Sequence, residues 1–218
     1  MTAQLTSGQL IQVLNAVADK VIASKDYLCE LDGAIGDGDH GIGMARAFQS
    51  IKDKLQGIDP QTAEPSDVLK TAGMTIISEI GGAMGPLFGG AFLRAGTAVA
   101  GKKGLDINDA LTILQAAEAA VRERGKVEVG DKTMLDTLYP AKEALAEALA
   151  AGLDPAAAGE QCIAAAKKGM EATKDMLSRR GRSSRLGERT LGHQDAGATS
   201  VYLILEAAYQ EIKKICGA

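Results

Sequence analysis

Tryptophan is absent, and tyrosine and phenylalanine together make up only 3% of the residues. With so few rings there is no stacking platform for single-stranded nucleic acid, and a net charge of −4 with a pI near 5.3 removes the basic surface a phosphate backbone requires. Cysteine is also scarce. Cys29, Cys162 and Cys216 are scattered, odd in number and form no Cys-x-x-Cys pair, which argues against zinc and disulfides and fits a reducing cytoplasm. No apolar run approaches the ~18 residues of a membrane span, and the N-terminus lacks a basic stretch followed by an apolar one. The chain is therefore expected to be cytoplasmic, with neither nucleic acid nor membrane as partner.

What remains is a palette for closely packed helices. At 218 residues the chain suits one domain over 1–218, its 46% hydrophobic share consisting largely of Ala, Leu, Ile, Val and Met. Apolar residues recur at helical spacing, as in Leu10, Val13, Leu14 and Val17 or Val201, Leu205, Ala208 and Ile212, and strand-like alternation is hard to find. Asp106 with Asp109, Asp154 before Pro155, and Asp195 mark helix starts. The breaks predict eight helices, near 8–25, 41–56, 66–79, 85–100, 107–124, 134–151, 155–178 and 196–216. Short connections make successive helices antiparallel and bring alternate loops to one end of an all-α bundle.

Three Gly-rich loops are expected to meet there. The first holds Asp32, Asp37 and Asp39, the second is Gly81-Gly-Ala-Met-Gly-Pro86, and the third runs from Arg179 to Gly197 with five arginines up to Arg189. A fourth spans Arg124 to Thr133. Three like charges crowded into eight residues repel one another, so a hard cation is their natural partner. A calcium loop starting at Asp37 needs Gly sixth and Glu twelfth, where this chain has Ile42 and Phe48. Mg²⁺, which shares its shell between a few carboxylates and a substrate phosphate, suits the cluster better. The competing reading is a solvated turn with a helix cap at Asp39.

Other features weigh less. Gly96-Thr-Ala-Val-Ala-Gly-Lys-Lys103 nearly spells a P-loop, but Lys103 replaces the metal-ligating hydroxyl and the run ends a helix instead of following a strand. The lysines there favour the negative end of a helix. His40 and His193 are the only histidines, and His40 gains interest from its neighbouring aspartates. Of the five arginines, one or two are expected to wrap anionic groups, the rest forming a solvated face.

Ile35-Gly-Asp-Gly-Asp-His-Gly41, Gly81-Gly-Ala-Met-Gly-Pro-Leu-Phe-Gly89, Gly125 with Gly130-Asp-Lys-Thr-Met134, and Gly187 to Ser200 together resemble the nucleotide-binding L subunit of bacterial dihydroxyacetone kinases. The resemblance covers essentially the whole chain. It implies an eight-helix antiparallel barrel-like bundle whose loop end holds ADP or ATP through two Mg²⁺ ions, and a ketose carried on a separate K subunit. By position, the metal ligands would be Asp32, Asp37 and Asp39. The nucleotide would contact His40, Gly41, Ile42 and Gly43, then Ala83 and Met84, Gly125, Met134, Arg182, and Asp195, Ala196 and Gly197. At Gly43, Met84 and Ala196 the chain departs from the family pattern, which often has Asn, Ser and Pro. Glycines would let backbone N–H groups approach phosphate, while Met134 and Met84 would grip the purine.

The function expected from this resemblance is transfer of a γ-phosphoryl group to a hydroxyl of dihydroxyacetone, with no catalytic residue on this chain. Two phosphoryl sources are open: exchanging ATP, or bound ADP recharged by a phosphoenolpyruvate-fed phosphocarrier subunit. Alternatives are a nucleotide-dependent module that attaches to a transcription regulator or carrier protein, and an L subunit serving another acceptor such as erythrulose. A homodimer is compatible with either.

Overall fold

The computed structural model describes residues 4–217 and is all-α. Its helices are α1 (Ser7–Ala23), α2 (Lys25–Ile35), α3 (His40–Leu55), α4 (Pro65–Glu79), α5 (Gly90–Ala98), α6 (Ile107–Gly125), α7 (Leu135–Ala150), α8 (Pro155–Ala172) and α9 (Ala196–Cys216). Caps explain most of the starts. Thr6 and Gln9 form a capping box before α1, Asp106 and Asp109 one before α6, and Asp154 accepts from the N–H groups of Ala156 and Ala157 at the Pro155 start of α8.

Eight of these helices close a ring. α1 packs on α3, α3 on α4, and so on through α9, which returns to α1. Leu10, Val17, Leu69, Phe88, Leu138 and Val201 face an apolar interior cavity of about 530 Å³. With few aromatics, the walls fit through small residues. A Cβ on Gly73 would come 2.8 Å from the Gly89 carbonyl oxygen, and one on Gly169 2.1 Å from that of Asp136, so α4 meets α5, and α8 meets α7, almost backbone to backbone.

The departures from the expected elements are local. Helix α2 lies where a loop was expected, and it packs on α3 and α9 outside the ring. Gly33 and the acidic residues hide it in the sequence; burying Leu28 and Ile35 outweighs their poor helix propensity. The expected helix over 85–100 opens with a π-helical stretch, Gly85–Gly89, and stops at Ala98. The one over 155–178 ends at Ala172, followed by a 3₁₀ turn (Thr173–Asp175), because Thr173 turns its hydroxyl to the Met170 carbonyl, 2.6 Å away. Within 179–197, Ser183–Thr190 forms 3₁₀ turns broken at Gly187 (φ 57°). The P-loop look-alike is the turn after α5, where Lys103 pairs with Glu64 and Lys102 with Asp109.

Candidate functional site

Asp32 sits in the last turn of α2, and the chain reverses through Gly36 and Gly38 before Asp39 opens α3. Gly38 has φ +76°, and a Cβ on Gly36 would lie 2.4 Å from Asp32 Oδ1, so this reversal needs glycine at both places. The result brings one carboxylate oxygen each from Asp32, Asp37 and Asp39 within 4.8 Å of one another. Asp39 occupies the N-cap position of α3, yet its side chain makes no capping hydrogen bond. The capping role that would explain an aspartate there is absent, and its carboxylate is left to the cluster. Arg182 reaches across from the 3₁₀ segment to pair with Asp37. All the donors are hard oxygens, partly open to solvent, which fits Mg²⁺ with water or phosphate completing its shell.

His40 follows immediately, and its ring turns inward. It is buried, with Nε2 2.7 Å from Ser200 Oγ, Nδ1 2.9 Å from Met84 Sδ and the ring edge-on to Phe88. Burial lowers its pKa to about 4, against a smaller opposing pull from Asp32, so the imidazole is neutral at physiological pH. These contacts tie the first loop to the Gly81 loop and to the start of α9. Gly43 looks onto Met84 Cε and Ile80 Cγ2 at 3.8 Å, and Gly125 onto Leu87 Cδ2 at 3.2 Å. A Cβ on Gly197 would lie 3.8 Å from the Met134 N. Arg180 pairs with Asp131 at 3.2 Å, joining the fourth loop to the third. The four Gly-rich segments therefore adjoin at one end of the ring.

A DAK2 domain model matches residues 34–210. The ADP-binding subunit DhaL of the PEP-dependent dihydroxyacetone kinase of Escherichia coli K12 is 38% identical over 93% of this chain and 95% of its own length. The chain belongs to the DhaL family. A second DhaL relative, from PEP-dependent dihydroxyacetone kinase 1 of Listeria innocua, is 40% identical over 90% of this chain and 92% of its own. The fold of this DhaL-family chain is also that of a solved protein, the dihydroxyacetone kinase of C. freundii in complex with AMP-PNP and Mg²⁺ (TM-score 0.68, 22% identity, 96% of this chain). The DhaL-family chain spans about a third of that longer chain, 35%.

Within the DhaL-family chain, the residues singled out from the sequence divide by exposure. Ile42 is 55% exposed, and Ala83 is exposed on the Gly81 loop. Met84 is half-buried against His40. Met134, expected to grip a base, is buried and lines the interior cavity, because it precedes α7 with its side chain turned into the ring. Towards Gly197 it presents its backbone N and its Cβ, each 3.8 Å from where a Cβ on that glycine would lie. Gly41 was expected to leave room for phosphate. Its open side instead faces α2, where a Cβ would meet the Lys25 carbonyl oxygen at 2.0 Å and Cys29 Sγ at 2.8 Å.

Asp195 caps α9, accepting from the Ala198 N–H at 2.7 Å, and places buried Ala196 and then Gly197 in the first turn. Desolvation raises its carboxyl to a pKa of about 6, outweighing the Ala198 hydrogen bond and Lys132, while Asp136 and Asp32 push the same way as burial. Of the five arginines, Arg182 and Arg180 are paired with carboxylates. His193 is exposed and contributes its carbonyl, which accepts from Lys132.

Three contributors were not singled out from the sequence. Ser200 anchors His40 from a buried position. Asp136 gathers the N–H groups of Gly130 and Thr133 and so shapes the fourth loop. Lys132 is buried inside that loop. The motif Gly130-Asp-Lys-Thr-Met-Leu-Asp136 contains two of them, and a lysine amid glycine and aspartate was the available clue.

Proposed function

We propose that the chain is the ADP/ATP–Mg²⁺-binding subunit of a dihydroxyacetone kinase, a phosphotransferase that works with a K subunit holding the short ketose. The observation that carries this reading is the carboxylate cluster: three acidic groups within 4.8 Å at the opening of α3, where Asp39 makes no capping bond and Asp32 accepts from the His40 N–H at 3.4 Å, beside an arginine. Bound Mg²⁺ would supply charge neutralisation between these carboxylates and the phosphoryl oxygens. Three carboxylates and a diphosphate carry roughly −6, so two ions and Arg182 leave about −1 where one ion would leave about −3. That balance favours a pair of ions.

The chain's own residues orient and neutralise. Arg182 is placed to move from Asp37 to a phosphate, and the openings of α3 and α9 offer N–H groups and the positive ends of helix dipoles. Asp32 and Asp39 would remain as the fixed anionic cradle. No nucleophile is offered: His40 is neutral, buried and bonded to Ser200. Bound nucleotide would supply the γ-phosphoryl group to the ketose hydroxyl, leaving the diphosphate behind and the hydroxyl proton to a base on the K subunit. Catalysis on this side is positioning and electrostatics.

The relatives from E. coli and L. innocua are named as PEP-dependent, ADP-binding subunits, which supports a phosphocarrier that recharges bound ADP as the phosphoryl source. Residues 1–218 then form one nucleotide-binding domain acting in the cytoplasm. No described helix is long and apolar enough to cross a membrane.

The test is to purify the chain, identify its nucleotide by chromatography after denaturation, and assay it with an active K subunit and dihydroxyacetone. Tightly held ADP, with turnover only when a phosphoenolpyruvate-fed phosphocarrier is added, is the expected result. Fast exchange with added ATP and turnover on ATP alone would make it an ATP-dependent kinase. Absence of turnover on dihydroxyacetone or any other short ketose would reject the kinase reading and leave a nucleotide-binding regulatory module.

A further inference from the structure

Lys132 is 2% exposed, an uncommon place for a lysine, and its backbone takes the left-handed conformation (φ 62°). The loop around it is built by carboxylates. Asp136 accepts from the Gly130 and Thr133 N–H groups at 2.5 and 2.7 Å, and Asp131 accepts from the Glu128 N–H at 3.0 Å. The consequence is a lysine side chain driven inward, towards a single segment.

Its Nζ donates to the carbonyl oxygens of Thr173 (2.7 Å), Thr190 (2.7 Å) and His193 (2.5 Å), with that of Met176 at 3.2 Å. An ammonium has three protons, so the four oxygens share them, and every one belongs to the strap between α8 and α9. This strap carries Arg182 at its exposed crest and ends on Asp195. Within the strap, the Ser178 N–H donates to Thr190 Oγ1 and the Gly192 N–H to the Lys174 carbonyl. Outward, the Arg179 N–H donates to the Asp131 carbonyl, Arg180 pairs with the Asp131 carboxylate and Gln194 donates to Thr199 Oγ1. The Asp195 N–H itself donates to Thr173 Oγ1 at 3.0 Å, on a residue whose carbonyl Lys132 holds.

We propose that Lys132 is a positioning residue for nucleotide binding: its ammonium gathers the carbonyls of Thr173, Met176, Thr190 and His193 and so fixes the strap with Arg182 beside Asp37 and Asp195 at the head of α9. The inference rests on the nucleotide–Mg²⁺ reading of the site. A charge-assisted bond to several carbonyls from one side chain is strong, and it converges segments that no regular helix connects. Lys132 touches none of the proposed ligand positions directly, so its effect reaches the nucleotide through Arg182 and Asp195.

The experiment compares the full chain with Lys132→Met, which keeps the length and removes the ammonium. Magnesium-ADP affinity is read by calorimetry and the rate of tryptic cleavage at Arg179 to Arg189 by mass spectrometry. The variant should bind about ten-fold more weakly or worse, and be cut in the strap about ten-fold faster, with its helical circular dichroism retained. A cycle with Arg182→Ala separates positioning from general loosening. If Lys132 acts by holding Arg182, the double variant binds no worse than Lys132→Met alone, whereas additive losses overturn the proposal.

Equal affinity and equal cleavage in parent and Lys132→Met also overturn it. A parent that binds no magnesium-ADP rejects the nucleotide reading instead, and the strap cleavage rates still decide whether Lys132 staples the segment. Should Lys132→Met fail to fold, ε-¹⁵N-lysine labelling of the unaltered chain decides: one ammonium resonance protected from solvent exchange near neutral pH is expected, and none overturns the proposal.

Discussion

His40 Nε2 lies 2.7 Å from Ser200 Oγ, a bond across 160 positions of sequence that joins the opening of α3 to the opening of α9. Both partners are buried, so the pair locks together two helix ends proposed to face the nucleotide. The His40 pKa, lowered to about 4 by burial, has a sign that can be checked. A histidine whose folded pKa lies below its unfolded value stabilises the fold fully above about 6.5, and this stabilisation is lost as pH falls towards about 4. NMR titration of the metal-free chain should place the His40 midpoint near 4; a midpoint between 6 and 7 would show a solvated ring. Ser200→Ala leaves a ring nitrogen without its partner and should destabilise the chain by about 1–3 kcal/mol in urea titrations.

Asp195 has the opposite sign. Its pKa, raised to about 6 by desolvation, means that its contribution to stability is fully present below about 3.8 and is lost as pH rises through about 6. Asp195→Asn keeps an oxygen for the Ala198 N–H and removes the ionisation. The variant's stability relative to the parent should therefore climb between pH 4 and pH 6 in metal-free buffer, measured by denaturant unfolding at each pH. A flat difference would mean that the carboxyl is already solvated.

Two glycines two residues apart, on opposite faces of α3, should behave in opposite ways. Gly41→Ala places a methyl 2.0 Å from the Lys25 carbonyl oxygen, so α2 must move and carry Asp32 with it. A stability loss of about 3 kcal/mol, with weaker magnesium-ADP binding, is expected. Gly43→Ala meets nothing closer than 3.8 Å and should stabilise α3 by up to about 1 kcal/mol. Thermal unfolding of both variants checks the contrast, and equal effects would contradict the packing between α2 and α3.

Arg182 is exposed and pairs with Asp37, so removing it should barely affect the fold. Arg182→Gln is expected to change stability by less than about 1 kcal/mol while reducing magnesium-ADP affinity by about ten-fold. Calorimetry alongside thermal unfolding makes the distinction. A large loss of stability with unchanged affinity would assign the arginine to structure alone.

The sequence was most informative where local chemistry is self-sufficient. The caps at Asp106, Asp154 and Asp195 name their own helix starts, and the apolar spacing of α1 and α9 names their buried faces. The acidic cluster was legible because three like charges so close need an explanation. Helix α2 was not, since its existence depends on packing against α3 and α9 and not on propensity. Nor was the inward turn of Met134, or the close approach of Gly41 to α2: both depend on which neighbour packs against them. Lys132 stayed hidden for the same reason, because its four acceptors are backbone carbonyls that any residue would offer.

The central claim is that Asp32, Asp37 and Asp39 hold nucleotide phosphates through divalent ions. Calorimetric titration of ADP into the parent and Asp37→Asn, each in Mg²⁺ and again after EDTA, tests it most directly. Tight binding is expected only for the parent in Mg²⁺, with a loss of at least about ten-fold for Asp37→Asn and release of nucleotide on chelation, because diphosphate and bare carboxylates repel. Unchanged affinity in Asp37→Asn, or ADP retained after complete removal of metal, would contradict it.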